Sequence, residues 1–194
     1  TFDQDSLASP GLLAGLLDLY SRHPRRTEIG VIAPTHRDRG TGDSYYRRGD
    51  RLVEHEDWRI VRTCISSGSL VPIGVYTKVG RMDESLFIDY VDHDFCMRCR
   101  AHGLLIVEST QLVLEHSMGA ASLRYVLGHR LEFTNHSPLR HYYIARNQLE
   151  VYRRNLRVDF FWVIRGLFFQ VVTAVLVLIY EDDRGLKFQA MLQG

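Results

Sequence analysis

The chain is expected to fold as an α/β sheet domain followed by helices, and three observations carry that expectation. Short apolar runs bounded by turn residues alternate with segments of helical periodicity. The Ser-Pro pair that suits a helix start occurs twice, at Ser9-Pro10 and Ser137-Pro138. A long apolar stretch, residues 160–180, then follows the last of these helices.

Taken in order, Ser9-Pro10 predicts an N-cap with proline in the first turn, and Leu12, Leu13, Leu16, Leu17 and Tyr20 recur at helical spacing. This helix is expected to end between Arg22 and Pro24. Residues 29–33 form an apolar run that suits a buried strand stopped by Pro34, and residues 36–51, rich in Arg, Asp and Gly, suit an exposed loop. A second strand is expected over residues 59–65, running into the serine-rich turn 66–69, and a short helix over 72–79 ending at Gly80. A longer helix over 89–102 would stop at Gly103. Strands are expected at 104–107 and 111–114, and a helix from Pro138 to about Arg154. Within the apolar tail, the uncharged part from Gly166 to Tyr180 is shorter than the ~20 residues of a bilayer span, which predicts a buried or interfacial helix.

Composition narrows the function. The chain has 194 residues, 45% of them hydrophobic and 24% charged, with a formal net charge of +1. Such a balance argues against a dedicated nucleic-acid binder. Arginines nevertheless gather between residues 124 and 157, a pattern that fits either a solvated helix face or a surface for phosphates or anionic lipid. Cys64, Cys96 and Cys99 form no disulfide framework, and the Cys96/Cys99 pair has no second pair at zinc-ribbon spacing. Packing cysteines in a reducing compartment are expected.

The sharpest chemical signal is Phe2-Asp3-Gln4-Asp5-Ser6. On an extended segment Asp3 and Asp5 share a face, so both could reach one hard divalent cation and, through it, a diphosphate. The same residues also suit a turn ahead of a helix. Downstream, Asp89, Asp92 and Asp94 crowd the front of a helix, more acids than capping requires, and one could accept a proton from a hydroxyl. Glu115-His116 closes a strand, where His116 could be a nitrogen ligand or a structural histidine. The acidic loop stands at the very start of the chain with no Met before it, so a longer protein is expected.

Together and in this order, DQDS, SSGSL, VGxxDESLFIDYVDxDxCxRxRxxG, the EHxxG strand end and HSPLRxYYxxRN resemble family 2 glycosyltransferases, bacterial rhamnosyltransferases above all. The resemblance implies that residues 1–135 are the C-terminal part of a GT-A (Rossmann-like) catalytic domain whose nucleotide-binding half is absent. Residues 136–194 would form a helical, membrane-associated segment. It implies a Mg²⁺ or Mn²⁺ ion held by Asp3, Asp5 and His116, with Asp92 as catalytic base in a single inverting displacement. Val91 stands where relatives carry a second acid. Ser67, Gly68 and Ser69 match a loop near the donor sugar, and Arg140, Tyr143, Arg146 and Asn147 match a helix of the same site. The implied partners are a nucleotide-sugar donor, rhamnose first among the sugars, and a glycan or lipid-linked acceptor, without nucleic acid. Peripheral contact with the cytoplasmic membrane face and self-association are further partners to test.

Two rival readings fit parts of the sequence. A haloacid-dehalogenase-type phosphatase would make Asp3 a nucleophile but needs a well-placed lysine, and the chain has only Lys78 and Lys187. A non-catalytic membrane module would rest on the arginine-rich helix and the apolar tail alone.

Overall fold

The computed structural model describes the chain apart from residues 1, 4, 5, 40, 41, 45–49, 117–121, 127, 128 and 134, and describes backbone only at His116, Ser122–Val126 and His129–Phe133. Its elements are β1 (Leu7–Ala8), α1 (Leu12–Arg22), β2 (Ile29–Asp38), β3 (Arg51–Glu54), β4 (Trp58–Val61), α2 (Ile73–Val79), α3 (Val91–Ala101), β5 (Leu105–His116), β6 (Ser122–Val126), β7 (His129–Phe133), α4 (Pro138–Asn155), α5 (Phe160–Tyr180) and α6 (Arg184–Gln193). The α/β class is as expected. The elements gather into two compact units, Thr1–Asp83 with Asp92–Ser117, and Glu84–Val91 with Met118–Gly194. The boundary expected at residues 135/136 lies inside the second.

In the first unit the sheet is organised around β5. Strand β2 runs parallel along one edge of it, from Ile29 opposite Leu105 to Asp38 opposite His116. The other edge is divided: antiparallel β4 pairs Val61 with Ile106 and Trp58 with Ser109, and β1 pairs Leu7 with Glu115. Strand β3 lies outside β4. A parallel pair needs cover on both faces, and the first eight residues of β2 are all buried. Val31, Ala33 and Ile106 pack with Val75 and Val79 of α2 and Phe95, Cys96 and Cys99 of α3. Ile32, Val107 and Leu114 pack with Leu12, Leu16 and Leu19 of α1. The alternation along the strands places these clusters on opposite faces.

Several expectations are corrected. Pro34 does not stop β2, because the register shifts between Ala33 and Thr35 and the ladder tolerates the missing N–H there. The two strands expected at 104–107 and 111–114 are one. The polar residues between them form a bulge, in which buried Ser109 Oγ accepts the backbone N–H groups of Gln111 and Leu112 at 3.2 and 3.0 Å. Helix α1 starts at Leu12 behind Gly11 at φ 85°, with no side-chain cap from Ser9. Strand β4 ends at Val61, short of the expected 65. By contrast, Ser137 caps α4 as expected, accepting the Arg140 N–H at 3.3 Å. The three cysteines are free and buried.

The second unit contains the β6–β7 hairpin and helices α4, α5 and α6. Gly166 lets α5 approach α4: a Cβ there would stand 1.8 Å from the Tyr152 hydroxyl oxygen. The Tyr152 and Trp162 rings meet edge to face at 4.9 Å. Lys187 of α6 reaches Glu181 at 3.0 Å, and His141 of α4 lies 3.3 Å from the same carboxylate oxygen, all three side chains being nearly inaccessible. Helix α5 runs unbroken through Arg165 and Gly166 for 21 residues, so it is longer than the uncharged segment suggested and is long and apolar enough to cross a membrane. Only 17% of its most apolar stretch is buried, and Phe161, Phe168 and Val171 are exposed.

Ile106 is fully buried on β5. Ile106→Ala should therefore cost about 2–5 kcal/mol, read as a lower urea midpoint at unchanged m-value. Ile73→Ala, at a position 86% exposed, should stay within about 0.5 kcal/mol.

Candidate functional site

The site of the first unit begins with the serine turn after β4. Leu70 and Ile32 exchange backbone hydrogen bonds of 2.8 and 3.0 Å, which hang the turn on β2. Ser69 Oγ donates to the Ser66 carbonyl at 2.6 Å. Gly68 sits at φ +71°, and a Cβ there would meet Leu114 Cδ2 at 2.8 Å and Pro34 Cγ at 3.2 Å, so conformation and space both require glycine. Ser67 is fully buried. Its hydroxyl accepts the Asp3 backbone N–H at 3.0 Å and lies 2.7 Å from Ser6 Oγ. Its carbonyl accepts a 2.7 Å hydrogen bond from His36 Nε2, which assigns the proton to that nitrogen. Ser67 thus fastens the acidic loop to the sheet.

The loop continues into β1, and Leu7 lies opposite Glu115, one residue before His116. Strand β1 therefore joins the loop that carries Asp3 to the end of β5 at which His116 lies. The Asp3 side chain is exposed. Asp5 and the side chain of His116 lie outside the described residues, and among the described residues no group of three His, Cys, Asp or Glu forms a metal cluster. The donor chemistry of the expected set, two carboxylates and an imidazole, suits a hard or borderline divalent ion.

The three acids around the start of α3 divide sharply. Asp94 is wholly buried and accepts Arg98 Nε at 2.7 Å, while the same guanidinium donates to the Val79 and Arg81 carbonyls at 2.8 and 2.9 Å. It is a structural pair that ties α3 to the segment after α2. Asp89, in the second unit, accepts a bidentate contact from Arg140 at 2.9 and 3.0 Å. Asp92 has a different partner: its Oδ1 accepts both the backbone N–H and the Nδ1–H of His93, each at 2.8 Å. Burial opposes ionisation of Asp92, but the adjacent imidazole outweighs it and holds the carboxyl below its ordinary value. Burial likewise works against a charged His93, and Asp92 outweighs it, so the imidazole is raised. Both of these hydrogen bonds fall on Oδ1.

Asp92 borders a recess of about 10 Å³, room for a single water, that it shares with Ser66, Ser69, Cys64, Cys96 and Phe95. The serine turn therefore serves two purposes within one unit. Ser67 holds the Asp3 loop, while Ser66 and Ser69 line the space beside Asp92. Cys64 Sγ and Cys96 Sγ are 3.8 Å apart there, and mutual contact and burial push the Cys64 thiol well up, which keeps it unreactive.

In the second unit, α4 holds a loop. Arg146 donates to the Ser85 carbonyl at 2.7 Å, and Asn147 Nδ2 lies 2.6, 2.8 and 3.1 Å from the carbonyls of Leu86, Ile88 and Asp89. With Arg140 on Asp89, the helix motif expected at a substrate site clamps residues 85–89. Arg153 and Arg154 flank Glu150 and draw its carboxyl down to about 2. Much of the arginine cluster is thus committed to internal pairs. Sequence reasoning missed His93 and the fastening role of Ser67; the Asp-His neighbours were visible, but their shared geometry was not.

A relative in Shigella flexneri, dTDP-rhamnosyl transferase RfbF, is 35% identical over 120 residues, which is 62% of this chain and 39% of that protein. The chain thus spans well under half the length of the relative that it matches. No protein-family model and no solved structure matches it.

Proposed function

We propose that the chain is the acceptor-side part of a glycosyltransferase that moves a sugar, rhamnose first among candidates, from a nucleoside diphosphate to a glycan or lipid-linked acceptor in surface-polysaccharide synthesis. The observation that carries this reading is the serine turn, which joins the acidic loop to the recess of Asp92. The likeness to a dTDP-rhamnosyl transferase supports the substrate class.

Asp92 acts as general base. Its Oδ2 takes the proton of one acceptor hydroxyl while that oxygen bonds to the anomeric carbon and the bond from this carbon to the diphosphate oxygen breaks, with inversion. His93 holds Oδ1 and keeps the carboxylate ionised. A Mg²⁺ or Mn²⁺ ion bound by Asp3, Asp5 and His116 would supply Lewis-acid stabilisation of the departing diphosphate. Ser67 keeps the Asp3 backbone in place for that role. The phosphatase reading finds no catalytic lysine: Lys78 donates to the His102 carbonyl, and Lys187 is buried against Glu181 in the second unit. For the exposed apolar side of α5 we propose peripheral attachment to the cytoplasmic membrane face, near lipid-linked acceptors.

Asp92→Asn in the whole protein should lower kcat/KM about 10²–10⁴-fold and leave donor binding unchanged, as measured by steady-state kinetics and calorimetry. Near-normal turnover would remove Asp92 from the mechanism.

The pH profile should show the Asp92–His93 pair. A depressed carboxyl contributes stability above its unfolded value of about 3.9 and loses it as pH falls through the folded value; a raised imidazole contributes below about 6.5 and loses it as pH rises through its folded value. The pair should stabilise the fold most between about 4 and about 6.5. In His93→Phe the imidazole no longer offsets the burial of Asp92 and only backbone N–H groups still oppose it, so the acid limb of kcat/KM should move to higher pH; an unmoved limb would separate His93 from the base.

Deleting residues 158–194 should abolish co-flotation of the whole protein with anionic liposomes. Equal flotation of both forms would exclude α5 as the attachment.

A further inference from the structure

Helix α6 is anchored by a charge. Of its residues, Arg184–Gln193, only Lys187 is buried; Phe188 and Met191 are half-buried, and Leu186 and Leu192 are exposed. The end of the helix lies tight against α4, where a Cβ on Gly194 would stand 2.2 Å from the Tyr142 carbonyl oxygen. The Lys187 ammonium donates to Glu181 Oε2 at 3.0 Å and to Asn135 Oδ1. Asn135, left-handed at φ 45°, also donates from Nδ2 to Asp182 at 3.3 Å, so it holds the turn between α5 and α6 as well.

His141 of α4, 3% exposed, completes this cluster. Its Nε2 lies 3.3 Å from Glu181 Oε2, a carboxylate oxygen that accepts, so Nε2 carries the proton and Nδ1 the lone pair. Among the described residues Nδ1 is buried without a hydrogen-bond partner. In this state the charges of Glu181 and Lys187 cancel. A second proton on the imidazole can only enter at Nδ1, where it leaves a net positive charge and an unsatisfied N–H inside the protein. The neighbours do not reverse that balance. Glu181 favours the proton but is shared with Lys187, while Lys187 and Arg140 oppose it, Arg140 being paired with Asp89. Burial outweighs the rest and holds His141 below its ordinary value. His136, whose ring lies 6.1 Å from that of His141, is lowered by burial in the same way.

We propose that His141, Glu181, Lys187 and Asn135 form an acid-sensitive latch, which fastens α6 and the last turn of α5 to α4 and releases α6 when His141 takes a second proton. With α6 away, His141 loses Lys187 and gains water, so the open form takes the proton near the ordinary value of about 6.5. The closed form binds fewer protons than the open one, so the open form gains as pH falls below about 6.5, until the closed His141 itself titrates. His141 alone raises the opening constant by at most about tenfold per pH unit. The latch is independent of the chemistry in the first unit.

The test is hydrogen–deuterium exchange of the whole protein between about pH 8 and about pH 5, with rates corrected for the intrinsic pH dependence of exchange. Exchange in residues 184–193 should be slow above about pH 7 and should accelerate by up to about tenfold per unit below about 6.5, while residues 142–152 of α4 and 12–22 of α1 keep their protection. His141→Gln retains an N–H for Glu181 but does not titrate, so α6 should stay closed across the range. His136→Gln should leave the acid opening in place. Exchange of α6 that ignores pH, a response that persists unchanged in His141→Gln, or protection lost from α1 and α4 together with α6 would each overturn the latch. An NMR titration of His141 in the wild type decides the matter where His141→Gln is already open at high pH. A midpoint below about 6.5 that rises in Lys187→Met, where Glu181 is left to His141 alone, supports the latch; a wild-type midpoint at or above that value overturns it.

Discussion

The pairing of β2 with β5 is the constraint from which the first unit follows. A central parallel pair has no solvent face, so both sides of it must be covered by helices. Helix α1 covers one side, α2 and α3 the other. The remaining edge of β5 is shared between β4 and β1. That division gives the acidic loop its address, because the loop leads directly into β1 and β1 can pair only with the last residues of β5. The bulge held by Ser109 lets the long strand serve all three partners in succession.

On this frame the serine turn does with backbone geometry what a catalytic side chain does with chemistry. Its buried hydroxyl is worth most as an acceptor for an otherwise orphan N–H of the acidic loop, since a buried donor without a partner costs about 1–3 kcal/mol. The acids around α3 show the complementary logic. A carboxylate gripped by a guanidinium is satisfied and poorly suited to accept a proton, as Asp94 and Asp89 are. Asp92 is instead bonded through Oδ1 to its neighbour His93 and borders a small recess, without a guanidinium partner.

The second unit uses its arginines for architecture. Arg140 and Arg146, together with Asn147, maintain a loop with three left-handed residues, and Arg153 and Arg154 share Glu150. Part of a cluster that looks like an anion-binding surface in one dimension is thus spent on internal contacts, although Arg146 keeps its charge and Arg153 and Arg154 share a single carboxylate.

The sequence by itself determined the elements whose signals are local. The α/β alternation, the Ser137 cap of α4, the glycine stops at Gly80 and Gly103 and the packing role of the cysteines depend on neighbours within a turn or two. It also singled out the acids that crowd the start of α3. Tertiary structure decided what depends on distant partners. Pro34 stays in a strand because of a register shift against β5, and residues 104–116 become one strand because a serine spans the bulge. The same holds for the acids: Arg98 and Arg140 took Asp94 and Asp89 out of contention, which no spacing rule could show. Hydrogen bonds between residues more than fifty positions apart, from Ser67 to Asp3 and from Asn147 to Leu86, leave no periodic trace in a chain, because their geometry exists only after the sheet and helices have packed.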